Sequence, residues 1–143
     1  MSALANVFAY GTLQFGEIMH AVTERSLAGE PATLPGYRRL SLTGRSYPGI
    51  VAAPDEATAG ILYRDVDAES VARLDIFESE IYERLLLPVR TAGGRDVRAF
   101  AYVVSARFAH LLSPEPWSPE QFQREHGEAF LAACKRFREE GVA

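Results

Sequence analysis

The chain has 143 residues, of which 48% are hydrophobic, and its 19 acidic residues outnumber 15 basic ones to give a formal net charge of −4. This length and apolar content predict one domain, spanning residues 1–143, with a substantial core. The negative charge gives no general attraction to nucleic acid or to an anionic membrane surface, so neither is an expected partner. No apolar run approaches the roughly 20 residues of a transmembrane helix and the N-terminus does not resemble a secretion signal, so we expect a cytoplasmic protein.

Several common kinds of catalytic centre find no support in the residue inventory. The only cysteine, Cys134, excludes an internal disulfide and a cysteine-based zinc site, and we interpret it as a small buried apolar residue. His20, His110 and His126 lack a recognisable ligand spacing, so the sequence predicts no metal and no other cofactor. Ser46 lies in GRSYPG, which has proline where the nucleophile elbow of a serine hydrolase requires its second glycine.

The first elements of the chain are predicted to be a buried strand, a bend and a short helix. The apolar and aromatic run at residues 7–10 is typical of a strand that is buried on both faces, and Gly11 ends it. A helix is predicted over residues 16–25. Its inner side is expected to carry Ile18, Met19 and Val22.

The middle of the chain is predicted to consist mainly of short strands. Proline and glycine punctuate it and favour strands at residues 34–42, 50–53 and 58–65, joined by tight turns. Asp67 then predicts a helix over residues 68–79, because its side chain can accept hydrogen bonds from the free N–H groups of a first helical turn.

The C-terminal part is predicted to add a hairpin and a long helix. Strands at residues 85–91 and 97–105 flank the turn sequence AGGR, and SPEQ from Ser118 is typical of a helix start. Since helices do not regularly separate the strands, the pattern predicts an α+β fold with a mostly antiparallel, partly closed sheet. The ordinary length of the last helix favours packing within its own domain, and hence a monomer or a weak homodimer.

Glu78 occupies an unexpected face of the helix predicted over residues 68–79. At about 100° per residue, it lies within about 40° of the centre of the apolar face. That face consists of Val71, Leu74 and Phe77. An inward carboxylate must pair, accept hydrogen bonds or take a raised pKa, and a raised pKa suits a group that shuttles protons. Fraying of the helix end into solvent, or a structural ion pair with Arg84, explains the same spacing without a function.

The bend after the first strand is the second candidate feature. A glycine that follows a buried strand frees successive backbone N–H groups, which at Gly11, Thr12 and Leu13 can form a concave nest for an anion such as a carboxylate. The sequence GTLQFG has neither the glycine spacing of a dinucleotide fingerprint nor the Gly-Lys-Ser/Thr of a phosphate loop. A bend that only reverses the chain is the alternative.

Five sequence blocks, in their order along the chain, resemble the γ-glutamylcyclotransferase-like family. They are VFAYGTL, GYRRLSL, SYPGIVAA, TAGILYRDV and LDIFESEIYERLLLPV. The similarity runs from about residue 7 to residue 104 and is greatest to the branch that contains plant avirulence-induced proteins and γ-glutamylamine cyclotransferases. It implies a barrel-like, partly closed sheet flanked by helices, with a cavity between the bend and the acidic helix.

The resemblance also implies roles for particular residues. The Tyr-Gly-Ser/Thr-Leu signature of the family falls on Tyr10, Gly11, Thr12 and Leu13. The backbone of these residues is expected to hold the α-carboxylate of a γ-glutamyl group. The catalytic glutamate of the family, a general acid and base, falls on Glu78, the residue that helix geometry directs inward.

Three other tyrosines are candidates for the same pocket. Tyr82 falls on an aromatic position that the family often has near the pocket, and it is expected to contact the substrate. Tyr47 and Tyr102 are candidates either for the pocket lining or for ordinary packing in the sheet.

The activity implied by the resemblance is cyclisation of a γ-glutamyl amine or peptide to 5-oxoproline, with release of the amine or amino acid. The small-molecule substrate supplies its own nucleophile, the α-amine, so the protein has to orient it and move protons. One alternative is a binding module that retains a small carboxylate-bearing metabolite without turnover. Another is a related ring closure or amide cleavage on a different acyl group.

Overall fold

The computed structural model describes residues 4–139 of the chain. Within this range the chain forms six strands and three α-helices, in the order β1 (Ala5–Ala9), α1 (Gly16–Thr23), β2 (Gly29–Leu42), β3 (Pro48–Val66), α2 (Ala68–Glu78), β4 (Tyr82–Thr91), β5 (Asp96–Val104), β6 (Leu112–Pro116) and α3 (Pro119–Glu139). Short 3₁₀-helices cover Thr12–Gln14 and Ala106–Leu111. None of the helices in the described range is both long enough and apolar enough to cross a membrane.

Five of the strands close into a barrel. β1 pairs antiparallel with β3 and parallel with β5, and β5 pairs antiparallel with β4. β2 pairs antiparallel with both β4 and β3, which closes the ring, while β6 pairs with the far end of β2. The prediction of an α+β fold with a mostly antiparallel, partly closed, barrel-like sheet and flanking helices is therefore confirmed, and five of the strands close it completely.

β1 is buried on both of its faces because it separates two hydrophobic clusters. Val7 and Ala9 belong to a cluster that includes side chains from all three helices. Phe8 and Tyr10 belong to the second cluster, whose other buried members lie on β2, β3, β4 and β5 and fill the barrel. Successive side chains of a strand point to opposite faces, so this one strand contributes to both layers of the core. The predicted burial of residues 7–10 is confirmed.

The first two helices largely follow their sequence signals. The Asp67 carboxylate accepts a hydrogen bond from the Ser70 amide at 3.4 Å, so the predicted cap of α2 is confirmed. The inner side of α1 is buried as predicted, at Ile18, Met19 and Val22. α1 ends at Thr23 rather than at residue 25, because Glu24 adopts the left-handed backbone conformation with φ 61°.

The middle strands are longer than the sequence pattern predicts. The strands predicted at residues 50–53 and 58–65 are parts of β3, which continues through Pro54, and β2 begins earlier than expected, at Gly29. These two strands pair along most of their length, and this non-local pairing overrides the local proline and glycine signals. β2 accommodates a register shift at Gly36, whose φ of 85° favours glycine. The segment between β5 and α3, which contains Pro114 and Pro116, also forms a strand, β6, that the sequence did not predict.

Candidate active site

A cavity of about 120 Å³ opens where β1 and β5 end and β4 begins. This volume is several times what a single water molecule requires, so a small organic group fits. The lining consists of residues 7–13, Tyr47, Pro48, residues 77–79, Tyr82, Tyr102 and Phe130.

All six residues that the sequence predicts at a site lie around this one cavity. They are Glu78, Tyr10, Gly11, Thr12, Leu13 and Tyr82. Tyr47 and Tyr102, which the sequence left between pocket and sheet packing, line it as well. Cys134 is not among the lining residues and is buried, as expected, on α3. Burial and the nearby Glu78 raise the pKa of its thiol to about 11, so it is a poor nucleophile at neutral pH.

The bend presents backbone amides that its own short helix does not use. The first helical donor is the Gln14 amide, which donates to the Gly11 carbonyl at 3.2 Å. The amides of Thr12 and Leu13 precede that donor, so they have no acceptor within the 3₁₀-helix. Both residues line the cavity, and this leaves two N–H groups for a ligand.

Side chains from other strands fix the bend in place. The hydroxyl of Tyr63 donates to the Leu13 carbonyl at 2.8 Å, and a guanidinium N–H of Arg39 donates to the Tyr10 carbonyl at 2.9 Å. The Gln14 side chain donates to the same Tyr10 carbonyl, also at 2.9 Å. The two carbonyl groups that flank the free amides are therefore held by three separate side chains. These hydrogen bonds hold the segment in one conformation.

Replacing Tyr63 with phenylalanine is expected to lower the free energy of unfolding by about 1–3 kcal/mol, because the buried Leu13 carbonyl loses its donor. Denaturant titration measures this. Tyr37→Phe is the matched control, since that tyrosine packs at the edge of the barrel core and its hydroxyl bonds to nothing in the described part of the chain. Equal losses in the two variants would contradict the assigned role of Tyr63.

Glu78 is the last residue of α2 and faces the cavity. Its side chain is half-buried, and no hydrogen bond or ion pair joins its carboxyl group to the rest of the described chain. Burial without a compensating partner raises the pKa of this carboxyl from 4.5 to about 8. Arg84 pairs instead with Asp75, at 3.5 Å, so the structural ion pair with Glu78 that the sequence allowed is not formed.

The backbone immediately after Glu78 is strained. Ser79 has φ 66° and ψ −171°, a region occupied almost only by glycine. Its amide still donates to the Asp75 carbonyl at 3.0 Å, so α2 keeps its regular hydrogen bonding up to this residue, and the backbone angles of Ser79 then end the helix abruptly. This abrupt stop keeps the end of α2, and with it the carboxyl group of Glu78, at the rim of the cavity rather than frayed into solvent.

Three of the four tyrosines in the lining use their hydroxyl groups within the protein. Tyr10 donates to the carbonyl of Tyr102, whose own hydroxyl donates to Asp75 at 2.7 Å. Tyr82 donates to the carbonyl of Pro48 at 2.6 Å. Burial is the largest cause that raises the pKa of all three phenols above the ordinary value of 10, and the charge of Glu78 adds to it. They remain protonated and show mainly their rings to a ligand.

The chemistry of this site is therefore that of one isolated acid or base beside free backbone amides. Glu78 is the only lining residue in the described chain whose side chain titrates near neutral pH. The described residues contain no group of three or more His, Cys, Asp or Glu side chains close enough to hold a metal ion.

Sequence reasoning missed three residues that shape the site. Tyr63 and Arg39 support the bend from β3 and β2, at 50 and 29 positions from their partners along the chain. Phe130 comes from α3 and closes the cavity against Phe77. No local pattern identifies such residues, because their role depends on which strands and helices become neighbours.

Comparison with known proteins gives consistent matches. The model of the family described as gamma-glutamyl cyclotransferase, AIG2-like, matches residues 7–121. AIG2-like protein D of Arabidopsis thaliana is 30% identical over 140 residues, which cover 94% of this chain and 90% of that protein. A putative gamma-glutamylcyclotransferase of Vibrio cholerae is 32% identical over 112 residues, covering 78% of this chain and 93% of that protein.

Solved structures show the same architecture. The solution structure of an Arabidopsis thaliana protein aligns with a TM-score of 0.70 at 26% identity, over 98% of this chain and 94% of that one. A structure described as a gamma-glutamyl cyclotransferase aligns with a TM-score of 0.65 at 18% identity, over 93% of this chain and 87% of that one. The fold is therefore shared well beyond the range of close sequence similarity.

Proposed function

Because the chain belongs to the gamma-glutamyl cyclotransferase, AIG2-like family, as its five sequence blocks indicated, we propose that it cyclises a γ-glutamyl amine or peptide to 5-oxoproline. One observation carries the proposal: the isolated carboxyl group of Glu78 and the free amides of the Thr12–Leu13 segment line the same cavity. Under this proposal the protein acts on a small-molecule substrate in the cytoplasm, as a monomer or weak homodimer. It needs no cofactor, nucleic acid or membrane.

The substrate brings its own nucleophile to this reaction. Its α-amine nitrogen attacks the γ-carbonyl carbon, the new C–N bond closes a five-membered lactam, and the C–N bond to the leaving amine breaks. The attacking nitrogen loses one proton, beyond any ammonium proton it carries, and the leaving nitrogen gains one. Such an oriented intramolecular attack reaches effective molarities of about 10⁵–10⁸ M, so a large part of the acceleration comes from holding the substrate bent.

The bend and Glu78 divide the remaining tasks between them. The α-carboxylate of the substrate accepts hydrogen bonds from the amides of Thr12 and Leu13, which fixes the γ-glutamyl end. Glu78 takes the proton from the α-amine and returns it to the leaving nitrogen. A pKa near 8 suits both steps, because the group is then neither too weak a base nor too weak an acid. Tyr82 packs its ring beside the reacting atoms.

The rate is expected to depend on pH through Glu78. Since burial raises the pKa of this carboxyl to about 8, it is neutral below that pH and has no capacity to accept a proton. We therefore expect kcat/KM to fall about tenfold per pH unit below pH 8. Initial rates of 5-oxoproline formation between pH 5 and pH 9 measure the profile, with protein stability checked at each pH. An acid limb centred near 4.5, the ordinary value, would contradict a buried base.

The proposal is tested by incubating the purified protein with γ-glutamyl amines, γ-glutamyl dipeptides and glutathione, and by quantifying 5-oxoproline and the released amine by mass spectrometry. Equimolar formation of both products supports it. Tight binding of these compounds with no product at any pH indicates instead a binding module for a carboxylate-bearing metabolite. Products of another mass indicate cleavage or cyclisation of a different acyl group.

A further inference from the structure

A second cavity, of about 420 Å³, lies between β2, β3 and β6. Its lining includes Arg39 of β2, Ala57 of β3 and Trp117, which follows β6. None of its lining residues in the described chain also lines the candidate active site. Its volume falls within the range of roughly 300–1,000 Å³ that is typical of small-molecule sites. We call it the Arg39 cavity.

Arg39 uses only one of its three guanidinium nitrogen atoms within the described chain. Nη1 donates to the Tyr10 carbonyl at 2.9 Å and to the Ala59 carbonyl at 3.2 Å. Nε is buried without a hydrogen-bond partner, and no hydrogen bond or ion pair joins Nη2 to the described residues. Two adjacent N–H groups of a guanidinium bind both oxygens of one carboxylate. The unused pair, Nε and Nη2, is therefore a carboxylate-binding edge.

The electrostatic surroundings of Arg39 also favour an anion. Burial lowers the pKa of its guanidinium below the ordinary value of 12.5, and the charges of Glu120 and Tyr10 offset this only in part. Glu56 is the only carboxylate that the described chain contributes to the lining, and it pairs with Arg38 at 3.6 Å. A half-buried cation that has carbonyl partners but no carboxylate of its own is stabilised by an anionic ligand.

Much of the remaining lining of the Arg39 cavity is apolar. It comes from Leu40, Pro114, Pro116 and Trp117. The Cζ atom of Arg39 lies 5.3 Å from the centroid of the Trp117 ring. The indole N–H of Trp117 donates to the Ser46 carbonyl at 2.7 Å, which fixes the ring in place. The lining therefore suits a ligand that combines one carboxylate with a small apolar body.

Arg39 also connects this cavity to the candidate active site. The Tyr10 carbonyl, which accepts from Nη1, directly precedes Gly11, and the free amides of Thr12 and Leu13 follow. A ligand that holds the edge formed by Nε and Nη2 fixes the whole guanidinium, because that group is planar and rigid. Nη1 is then held on the Tyr10 carbonyl, and the bend is held with it.

From these observations we infer that the Arg39 cavity is a second ligand site, which takes a small carboxylic acid with an apolar body, and that this ligand strengthens substrate binding at the bend through Arg39. The coupling rests on the proposed cyclisation, whereas the binding of a carboxylate in the Arg39 cavity does not. By thermodynamic linkage, the substrate must strengthen binding of this ligand by the same factor.

Trp117 provides a direct test of binding, because it is the only tryptophan of the chain and lines the Arg39 cavity. Titration of its fluorescence compares phenylacetate with phenylacetamide, which has nearly the same shape but no charge. We expect a saturable change with phenylacetate and a Kd at least about tenfold higher for the amide. No saturable change, or equal Kd values, overturns the inference whatever the outcome of the γ-glutamyl assays.

A matched pair of variants localises the site. Ala57→Phe places a ring in the Arg39 cavity and is expected to raise the Kd of phenylacetate at least about tenfold while turnover stays unchanged. Ala52→Phe, at an exposed position on the same strand outside the lining, is the control. Parent-like binding of phenylacetate to a folded Ala57→Phe protein overturns the inference.

Arg39→Lys tests the two-donor edge itself. Lysine keeps the positive charge but cannot offer two N–H groups in a fixed plane, so phenylacetate binding should weaken at least about tenfold. Unchanged binding overturns the inference. Since Arg39 also supports the bend, Ala57→Phe decides the result if Arg39→Lys does not fold.

The coupling is measured in Glu78→Gln, which should bind substrate without turning it over. The Kd of phenylacetate is determined by Trp117 fluorescence with and without a saturating γ-glutamyl compound that the parent protein cyclises. We expect phenylacetate to bind at least about fivefold more tightly in its presence. Unchanged or weaker binding overturns the inference, and weaker binding shows competition at the bend. If no compound is cyclised, the proposed function and the coupling fail, whereas the titration without substrate still decides whether the site exists.

Discussion

Replacing Glu78 with glutamine is expected to reduce kcat for 5-oxoproline formation by about 10²–10⁴-fold. Glutamine keeps the size and the hydrogen-bonding capacity of the side chain but cannot accept the proton of the α-amine. Substrate affinity should change little, because under the proposed function the bend, rather than Glu78, holds the α-carboxylate. Glu83→Gln, at an exposed position on β4, is the control for the same exchange outside the cavity. Parent-like turnover in Glu78→Gln would contradict the assignment.

The same substitution is expected to stabilise the protein. The folded state keeps a proton on Glu78 up to about pH 8, whereas the unfolded chain releases it near 4.5. Between these values the native state binds more protons than the unfolded state, so the stability of the parent falls as pH rises. Glu78→Gln lacks this loss and should exceed the parent by on the order of 4 kcal/mol at pH 8, and by almost nothing at pH 4. Denaturant titrations at both pH values measure the difference.

These two effects of Glu78→Gln distinguish catalysis from structure. A residue that only supports the fold loses activity and stability together when it is replaced. A catalytic acid held in an unfavourable environment loses activity while the protein gains stability. A joint loss of turnover and of stability at pH 8 would therefore show that Glu78 acts through packing rather than as the base.

Gly11→Val is expected to weaken substrate binding by about 10- to 100-fold, because small misplacements of a positioning group have effects of this size. A Cβ atom on Gly11 lies only 3.0 Å from Cδ of Pro48, so a branched side chain must push the bend away from β3. The amides of Thr12 and Leu13 move with it. The change is measured as the Kd of a γ-glutamyl substrate for the Glu78→Gln background, where turnover does not interfere.

Gly16→Val is the matched control for Gly11→Val. It lies in the same loop-to-helix segment, and a Cβ atom there meets no other atom within 4 Å. We expect parent-like affinity for this variant. Unchanged affinity in a folded Gly11→Val protein would show that the bend reverses the chain without binding the substrate.

Much of the candidate site could be predicted because its signals are local. Glu78 is four residues from Leu74 and seven from Val71, so helical periodicity alone places it near the apolar face of α2. The glycine of the bend follows directly on an apolar strand. The bend and the helix that carries Glu78 also occur in the order along the chain that the family resemblance requires. The cavity that joins them is a property of the closed barrel, and only the structure shows it.

The features of the fold and the site that the sequence did not predict depend on contacts between distant parts of the chain. Pro54 marks a break in the local sequence, yet pairing with β2 carries β3 past it. Tyr63 looks like one more aromatic residue of a strand, and its hydrogen bond to Leu13 spans 50 positions. The strain at Ser79 has no sequence signature, since serine rarely adopts a positive φ. Such features arise from pairing and packing, which local propensity does not encode.

The central position of β1 has a consequence for how motion is distributed in the molecule. Its amides are hydrogen-bonded in the sheet, and both of its faces are buried, so their exchange with solvent requires opening of the barrel as a whole. The bend begins at Gly11, two residues after the end of this strand, so it starts from a part of the chain that local fluctuations do not easily displace. Under the proposed function, the amides that hold the substrate are therefore anchored to the part of the fold that opens only with the whole barrel.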